Sequence, residues 1–200
     1  LEFKYHFYHA GTPGRVLALL EPALAATRNA QILGAYIEAS LARGAYTRAL
    51  RVLEQTLSSA QGLWGAQLKV SIARIRFMAG EPIGDLDDLP PDTPAVVLAH
   101  AVNIRAQQAL RQADYPRAQS IAETAVAHWE DDGSEEMIAL RAEIQVTAAA
   151  SAAIQGGHTL VVEELVDERI PARVRARYHA MIAATSYMQG GLEAATNAYR

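Results

Sequence analysis

Six histidines are the side chains of this sequence best suited to metal binding or to proton transfer near neutral pH. His6 and His9 stand three residues apart, a spacing that places both rings on one face of a helix. Structural zinc sites take four ligands, and Glu2 is the one carboxylate nearby. We therefore expect no metal ion and no other cofactor, and we assign this pair to a helix end that faces solvent or a partner.

His100 falls near the start of a predicted helix. No carboxylate close to it in the sequence would orient its ring as a general base requires, although one brought near by folding is left open. We expect His100 to be a groove or core-edge residue.

The fifteen residues Gly80–Pro94 concentrate carboxylates that could bind calcium, and they also contain four prolines and two glycines. The aspartates are Asp85, Asp87, Asp88 and Asp92. An EF-hand loop needs carboxylates at alternate positions, a central glycine and a terminal glutamate, whereas Gly84 precedes the aspartates here. We assign these carboxylates to turns and caps, and we expect a short or irregular helix that ends near Leu89.

Motifs for phosphate binding and hydrolysis are missing from the sequence. The segment Gly156-Gly157-His158-Thr159 lacks the Gly-Lys-Ser/Thr ending of a phosphate loop. Neither a G-x-S-x-G nor an H-E-x-x-H motif occurs. We therefore predict that the chain is not an enzyme.

Composition and charge exclude further classes. The 200 residues are 50% hydrophobic and contain no cysteine, which rules out disulfide frameworks and thiol nucleophiles. The longest nearly apolar stretches, Ala95–Ile104 and Val146–Ile154, are too short to span a bilayer. Residues 1–80 hold nine Lys or Arg against four Asp or Glu, and residues 81–200 hold nine against eighteen, an asymmetry without base-reading chemistry. We expect a cytoplasmic chain that contacts neither membrane nor nucleic acid.

Alanine content predicts an all-α fold. Forty residues are alanine and thirteen are aromatic, and alanine has the highest helix propensity and lets helix backbones approach closely. Apolar periodicity of 3.6 residues then locates the elements. The predicted helices span residues 3–9, 13–26, 30–43, 46–59, 63–79, 94–112, 115–130, 134–155, 158–168, 172–189 and 192–200, with Ser134 as an N-cap.

Small residues follow the long apolar segments at nearly constant spacing. With gaps of 33, 36, 33, 44 and 33 residues, they are Gly11, Gly44, Gly80, Ala113, Gly157 and Gly190, and Gly156 and Gly191 are the alternatives for the last two. Two of them open a shared pattern, small-x-Tyr-x-x-Ala, at Gly44–Ala49 and Ala113–Ala118. We call these small residues joints, because each can end a helix in a left-handed conformation that glycine adopts freely, after which the alanine lets the next helix lie close.

This pattern resembles the tetratricopeptide repeat, a 34-residue helix–turn–helix unit. The resemblance covers nearly the whole chain and implies a right-handed α-solenoid of about five repeats, forming a single domain over residues 1–200. In the best-matching repeat, Leu33, Tyr36 and Ile37 occupy the stretch where the family has its Trp and Gly. Because the chain starts at Leu1 without Met and ends at Arg200 within a helical pattern, we expect a segment of a longer protein.

In tetratricopeptide arrays the first helix of each pair builds a concave wall, so residues at fixed offsets before each joint should form columns. We count back thirteen, ten and six residues from the joints Gly44, Gly80 and Ala113. The polar residues at these positions, together with the nearby Arg111, form one set. The set is Gln31, Glu38, Gln67, Arg74, His100, Asn103, Gln107 and Arg111. Amides can bond the backbone of an extended peptide, and Arg74 can hold a carboxylate. The alternative is that these long side chains simply face water.

The resemblance implies a non-enzymatic interaction or sensor module that binds a protein, a peptide or a small effector in its groove and can self-associate. The Ala- and Arg-rich repeats look most like the sensor arrays of maltose-activator-type bacterial transcriptional regulators. A second hypothesis is an assembly scaffold or chaperone-like adaptor of a secretion or envelope complex. A third is an all-α enzyme with a closed pocket. Flanking ATPase or DNA-binding domains would favour the first, and a signal sequence the second.

Overall fold

The structure, a computed structural model, describes residues 13–129, 133–156, 170 and 172–188. In this part the chain forms eight α-helices and no strand. The helices are α1 (Pro13–Ala26), α2 (Ala30–Arg43), α3 (Tyr46–Leu57), α4 (Gly62–Ala79), α5 (Ala95–Arg111), α6 (Tyr115–His128), α7 (Glu135–Ile154) and α8 (Ala172–Met188). The predicted all-α class is therefore confirmed for the described part of the chain.

The helix boundaries predicted from periodicity agree with the structure to within two residues wherever the chain is described. The helices predicted at 3–9, 158–168 and 192–200 lie outside the described residues. The same is true of His6 and His9 and of the joints Gly11, Gly157 and Gly190.

The three joints Gly44, Gly80 and Ala113 share one backbone geometry. Their φ angles are 68°, 80° and 61°, all left-handed, although Ala113 carries a side chain. At Gly44 the N–H donates to the carbonyl of Leu41 at 3.1 Å, and the next N–H, of Ala45, reaches back to Ser40 at 2.9 Å. The same two bonds recur after Gly80 and Ala113. This is the Schellman arrangement, which satisfies carbonyls at a helix end and reverses the chain.

Side-chain caps fix the starts of three helices, and at α6 the cap is Asp114, whose Oδ1 accepts from the N–H of Arg117 at 3.3 Å. The Oδ1 atom of Asn29 accepts hydrogen bonds from the backbone N–H groups of Gln31 at 2.8 Å and Ile32 at 3.2 Å. The Oγ atom of Ser134 accepts from the N–H of Met137 at 3.2 Å, which confirms the predicted N-cap of α7. Each cap satisfies donors that have no partner inside the helix.

Contacts between residues divide the chain into two compact units, residues 1–97 and 98–200. In the first unit α2 packs against α1, α3 and α4. Its core takes fully buried side chains from each of these helices, among them Leu24, Tyr36, Leu53 and Leu68. The single domain and the right-handed solenoid of about five repeats stay predictions.

The Pro- and Asp-rich segment forms no helix between residues 81 and 94, so the short helix expected to end near Leu89 is absent. Its four prolines lack the backbone donor that a helix requires. Leu86 is buried, and Lys69 Nζ of α4 donates to the carbonyl of Asp88 at 3.5 Å. Asp85 Oδ1 accepts from the N–H of Asp87 at 2.8 Å, the turn role predicted for these aspartates.

In the second unit α7 is the central helix and packs against both α6 and α8. One of its faces places Ile144 against Ala106 and Ala122. Another places Val146 against Val174. The small alanine side chains let these helices approach closely, as the composition predicted.

Helix α7 is also long and apolar enough, by length and composition, to cross a membrane. However, 61% of the apolar window is buried inside the protein, and Arg141 and Glu143 lie near the middle of the helix. These features are typical of the core helix of a folded unit.

The left-handed conformation of the joints predicts opposite effects for two substitutions. Ala113→Gly should stabilise the chain by about 1 kcal/mol, because glycine adopts positive φ without steric cost. Gly44→Ala should destabilise it by about 1 kcal/mol, because alanine is strained at positive φ. No steric clash adds to this cost, since a Cβ built at Gly44 meets no atom within 4 Å. Urea unfolding followed by circular dichroism measures both. Two changes of the same sign would contradict the shared geometry.

Candidate functional site

The structure joins two residues of the predicted polar set directly in the first unit. Arg74 Nη2 on α4 donates to Glu38 Oε1 on α2 at 2.7 Å. Both residues stand six positions before a joint, at Gly44 and Gly80, so equivalent positions of neighbouring segments meet as the offsets predicted. The side chains of Arg74 and Glu38 are 31% and 45% exposed, so the ion pair is open to solvent and to competing ligands.

Two further members of the set, Gln31 and Gln67, lie on the same faces of α2 and α4, seven residues before the ion pair. Helical periodicity returns to the same face after about seven residues. Gln31 is exposed and Gln67 is half-buried. Within the described residues neither side-chain amide makes a hydrogen bond. These amides can therefore donate to and accept from a bound molecule.

Three other members of the set lie on α5 in the second unit. Gln107 Nε2 donates to Asn103 Oδ1 at 2.8 Å, and Asn103 Nδ2 donates to Glu143 Oε2 of α7 at 2.7 Å. Asn103 is only 5% exposed. His100 Nε2 lies 2.9 Å from Glu136 Oε1, the carboxylate from another part of the chain that the sequence left open.

The polar chain on α7 continues towards α8. Arg177 Nη2 lies 3.4 Å from Thr147 Oγ1. Burial lowers the pKa of Arg177, and the negative charge of Glu143 opposes that shift. Counting back thirteen residues from Gly156 and Gly190 gives Glu143 and Arg177, the positions equivalent to His100. Counting back ten and six residues from Gly156 gives Val146 and Ala150, which we predicted as an apolar wall and which are both buried.

The eight predicted residues therefore differ in what they can do. Asn103, Gln107 and His100 bond to side chains of their own unit, so their polar groups support the fold. Arg111 is exposed at the end of α5. The four members on α2 and α4 form the more open surface, which we call the α2–α4 face and define by Gln31, Glu38, Gln67 and Arg74. This surface is the candidate binding site.

The sequence analysis missed a polar cluster that connects α1, α2 and α3. Arg48 donates to Glu21 through two bonds, Nε to Oε1 at 2.7 Å and Nη2 to Oε2 at 2.8 Å. The hydroxyl of the fully buried Tyr36 donates to Glu21 Oε1 at 3.2 Å. The bonds from Arg48 lower the pKa of Glu21, and burial raises the pKa of Tyr36. The position of Tyr36 among the apolar residues of its helix was a sign of this cluster in the sequence, because a buried hydroxyl needs a hydrogen-bond partner.

Other chemistry has little support in the described residues. No three His, Asp or Glu side chains there converge as metal ligands. A depression of about 160 Å³ lies between the ends of α1 and α3 and the start of α4. Thr27, Arg28, Thr56 and Trp64 are among its lining residues. None of the eight predicted residues lines it, and the hydroxyls of Thr27 and Thr56 bond to their own helix carbonyls.

No protein-family model, curated protein or solved structure matches this chain. The resemblance to tetratricopeptide repeats therefore rests on the sequence pattern.

The Glu21 cluster predicts a dependence of stability on pH at both extremes. The folded state raises the pKa of Tyr36. The contribution of this residue to the free energy of unfolding is therefore complete below about pH 10, the ordinary pKa of a tyrosine, and is lost as pH rises further. Because the folded state lowers the pKa of Glu21, its contribution is present above the ordinary value of 4.5 and is lost as pH falls.

Tyr36→Phe isolates the alkaline effect. We expect the variant to be less stable than the wild type by about 1 kcal/mol at pH 7, because one hydrogen bond is lost, and to lose less stability between pH 9 and 11. Urea unfolding across this range is the measurement, and Tyr46→Phe, at the half-buried first residue of α3, is the control. Parallel curves for the wild type and Tyr36→Phe would refute the assignment.

Proposed function

We propose that this chain is a non-enzymatic helical-repeat module whose α2–α4 face binds an extended segment of a protein or peptide partner. The proposal includes the solenoid of tetratricopeptide-like helix pairs. It is supported by the positions of polar groups on open helix faces, because an extended polypeptide offers unpaired backbone donors and acceptors along its length.

One observation carries the proposal: the ion pair between Glu38 and Arg74, which are 36 residues apart and equally distant from their joints. A contact between equivalent positions one repeat apart is what stacked repeats produce. The shared geometry at Gly44, Gly80 and Ala113 gives further support for tandem units.

Arg74 is the strongest recognition group of the α2–α4 face. A guanidinium has five N–H donors, and the contact with Glu38 uses Nη2 alone. A partner carboxylate can therefore bond the remaining donors or replace Glu38 at a half-exposed site, and charge-assisted hydrogen bonds of this kind are the strong ones. We propose that the partner carries a carboxylate, either as a side chain or as a chain end.

The larger roles follow from the resemblance and stay predictions. They are a sensor region of a bacterial transcriptional regulator, a small-effector site, self-association and a cytoplasmic location. Nothing in the described residues favours an assembly scaffold or envelope adaptor over the interaction module.

The proposal predicts that Arg74→Gln weakens peptide binding while the matched change Arg76→Gln does not. Arg76 pairs with Glu54 at 2.8 Å with exposures of 33% and 47%, nearly the same as in the Arg74 pair, but lies about 200° around α4. Both changes should therefore cost the same small stability, below about 1 kcal/mol.

A twelve-residue peptide is selected from a random display library for binding to the intact chain. Its binding is then titrated by fluorescence anisotropy. We expect Arg74→Gln to weaken its binding by about tenfold, corresponding to the loss of one charge-assisted hydrogen bond. Failure to select any peptide above an unrelated control protein, or equal losses in both variants, would reject the proposed function.

A further inference from the structure

Residues 81–94, which we call the strap, follow the joint Gly80 at the point where a helix follows the joints Gly44 and Ala113. The structure describes all fourteen of its residues, and none of them is helical. Its four prolines lack the backbone donors that a helix needs. The first unit therefore carries a non-helical segment in the place of a second helix.

Two contacts place the strap along α4. Lys69 Nζ donates to the carbonyl of Asp88 at 3.5 Å. A Cβ built at Gly84 would lie 3.3 Å from Arg76 Nη1. Lys69 and Arg76 are seven residues apart and so share one side of α4. Because the earlier strap residue meets the later α4 residue, the strap runs antiparallel to the helix.

Leu86 is the main apolar anchor of the strap. It lies midway in the sequence between Gly84 and Asp88, and only 6% of its surface is exposed. The other apolar side chains of the strap are half-buried or exposed. Burial of one leucine is a small gain against the conformational entropy lost by fourteen residues. Segments with few buried apolar side chains are the ones that open most readily.

Thr93, near the end of the strap, opposes the closed state. Its N–H donates to the carbonyl of Pro90 at 3.0 Å, and the residue is 6% exposed. Within the described residues its Oγ1 atom is buried and has no hydrogen-bond partner. A buried hydroxyl without a partner is unfavourable, and water would satisfy it in an open state. Leu86 therefore favours closure and the hydroxyl of Thr93 favours opening.

We propose that the strap opens away from α4 while the helices of the first unit stay folded, with Gly84 as the hinge and Leu86 as the latch. Gly84 suits a hinge because it is exposed and has a φ angle of 80°, in a region where glycine is unstrained. Opening exposes Leu86 and the stretch of α4 between Lys69 and Arg76. Arg76 lies about 200° around α4 from Arg74, so this inference is independent of the proposed function.

Thiol labelling measures this opening, because the chain has no cysteine of its own. Thr93→Cys places a probe of similar size at the buried end of the strap and keeps Leu86. Ser40→Cys, at a fully buried position of α2, reports global unfolding. Asp88→Cys, at an exposed position of the strap, gives the rate of an unprotected thiol. The reagent is iodoacetamide, which is neutral and therefore insensitive to the acidic residues nearby.

Without urea, Thr93→Cys should react at least about 100-fold faster than Ser40→Cys and at least about tenfold more slowly than Asp88→Cys. Low urea should hardly change its rate, because local opening exposes little surface, whereas the rate of Ser40→Cys should rise steeply. Adding Leu86→Ala should speed the labelling of Thr93→Cys at least about tenfold. The control Leu19→Ala, at a residue 69% exposed on α1, should leave that labelling unchanged.

Three results would overturn the inference. Equal rates and equal urea dependence for Thr93→Cys and Ser40→Cys would show that the strap opens only when the whole unit unfolds. A rate equal to that of Asp88→Cys would show that the strap is never closed. Labelling that Leu86→Ala does not accelerate would remove Leu86 as the latch.

The wild-type chain gives a second measurement that does not depend on the folding of any variant. Thermolysin cleaves before large apolar residues and needs an extended substrate. Under native conditions it should cut before Leu86 or Leu89 earlier than at any site within α1 to α4. Cleavage within those helices before cleavage in the strap would contradict a local opening.

Discussion

Three of the described helices, α2, α4 and α5, end at a single residue in the left-handed conformation, held by two main-chain hydrogen bonds. The geometry is the same at Gly44, Gly80 and Ala113, although a helix follows two of these joints and an irregular loop follows the third. The reversal is therefore a property of the helix end and not of what comes next. Ala113 shows that the conformation is kept even where the residue type disfavours it.

The joints determine where polar side chains meet. Counting residues back from a joint fixes the face and the height of a side chain on its helix, because every helix residue adds a constant rotation and rise. Glu38 and Arg74 are at the same count and meet. The position of the proposed binding surface, the α2–α4 face, is therefore a consequence of where the helices end. The partner contacts groups whose positions follow from regular backbone geometry.

Sequence reasoning recovered the elements well because helix propensity and periodicity are local. It succeeded at α2 and α4, whose joints are glycines close to one repeat apart. It was less successful at α7. This 20-residue helix is longer than α5, so residues at the same distance from their joints no longer face each other. As a result Glu143 contacts Asn103 and not the equivalent residue His100. The Glu21 cluster escaped because its members are 15 and 27 residues apart, outside any repeat. The pairing of polar groups depends on side-chain reach, which spacing does not encode.

Hydrogen exchange at the joints tests the central claim most directly. The amides of Ala45, Glu81 and Asp114 donate to carbonyls five residues earlier, at 2.9, 2.8 and 3.0 Å. Measured by NMR at pH 7, these three amides should exchange at least about tenfold more slowly than the same amides in an unstructured chain. Exchange of all three at the unstructured rate would contradict the shared reversal and remove the basis for placing Glu38 and Arg74 on one binding face.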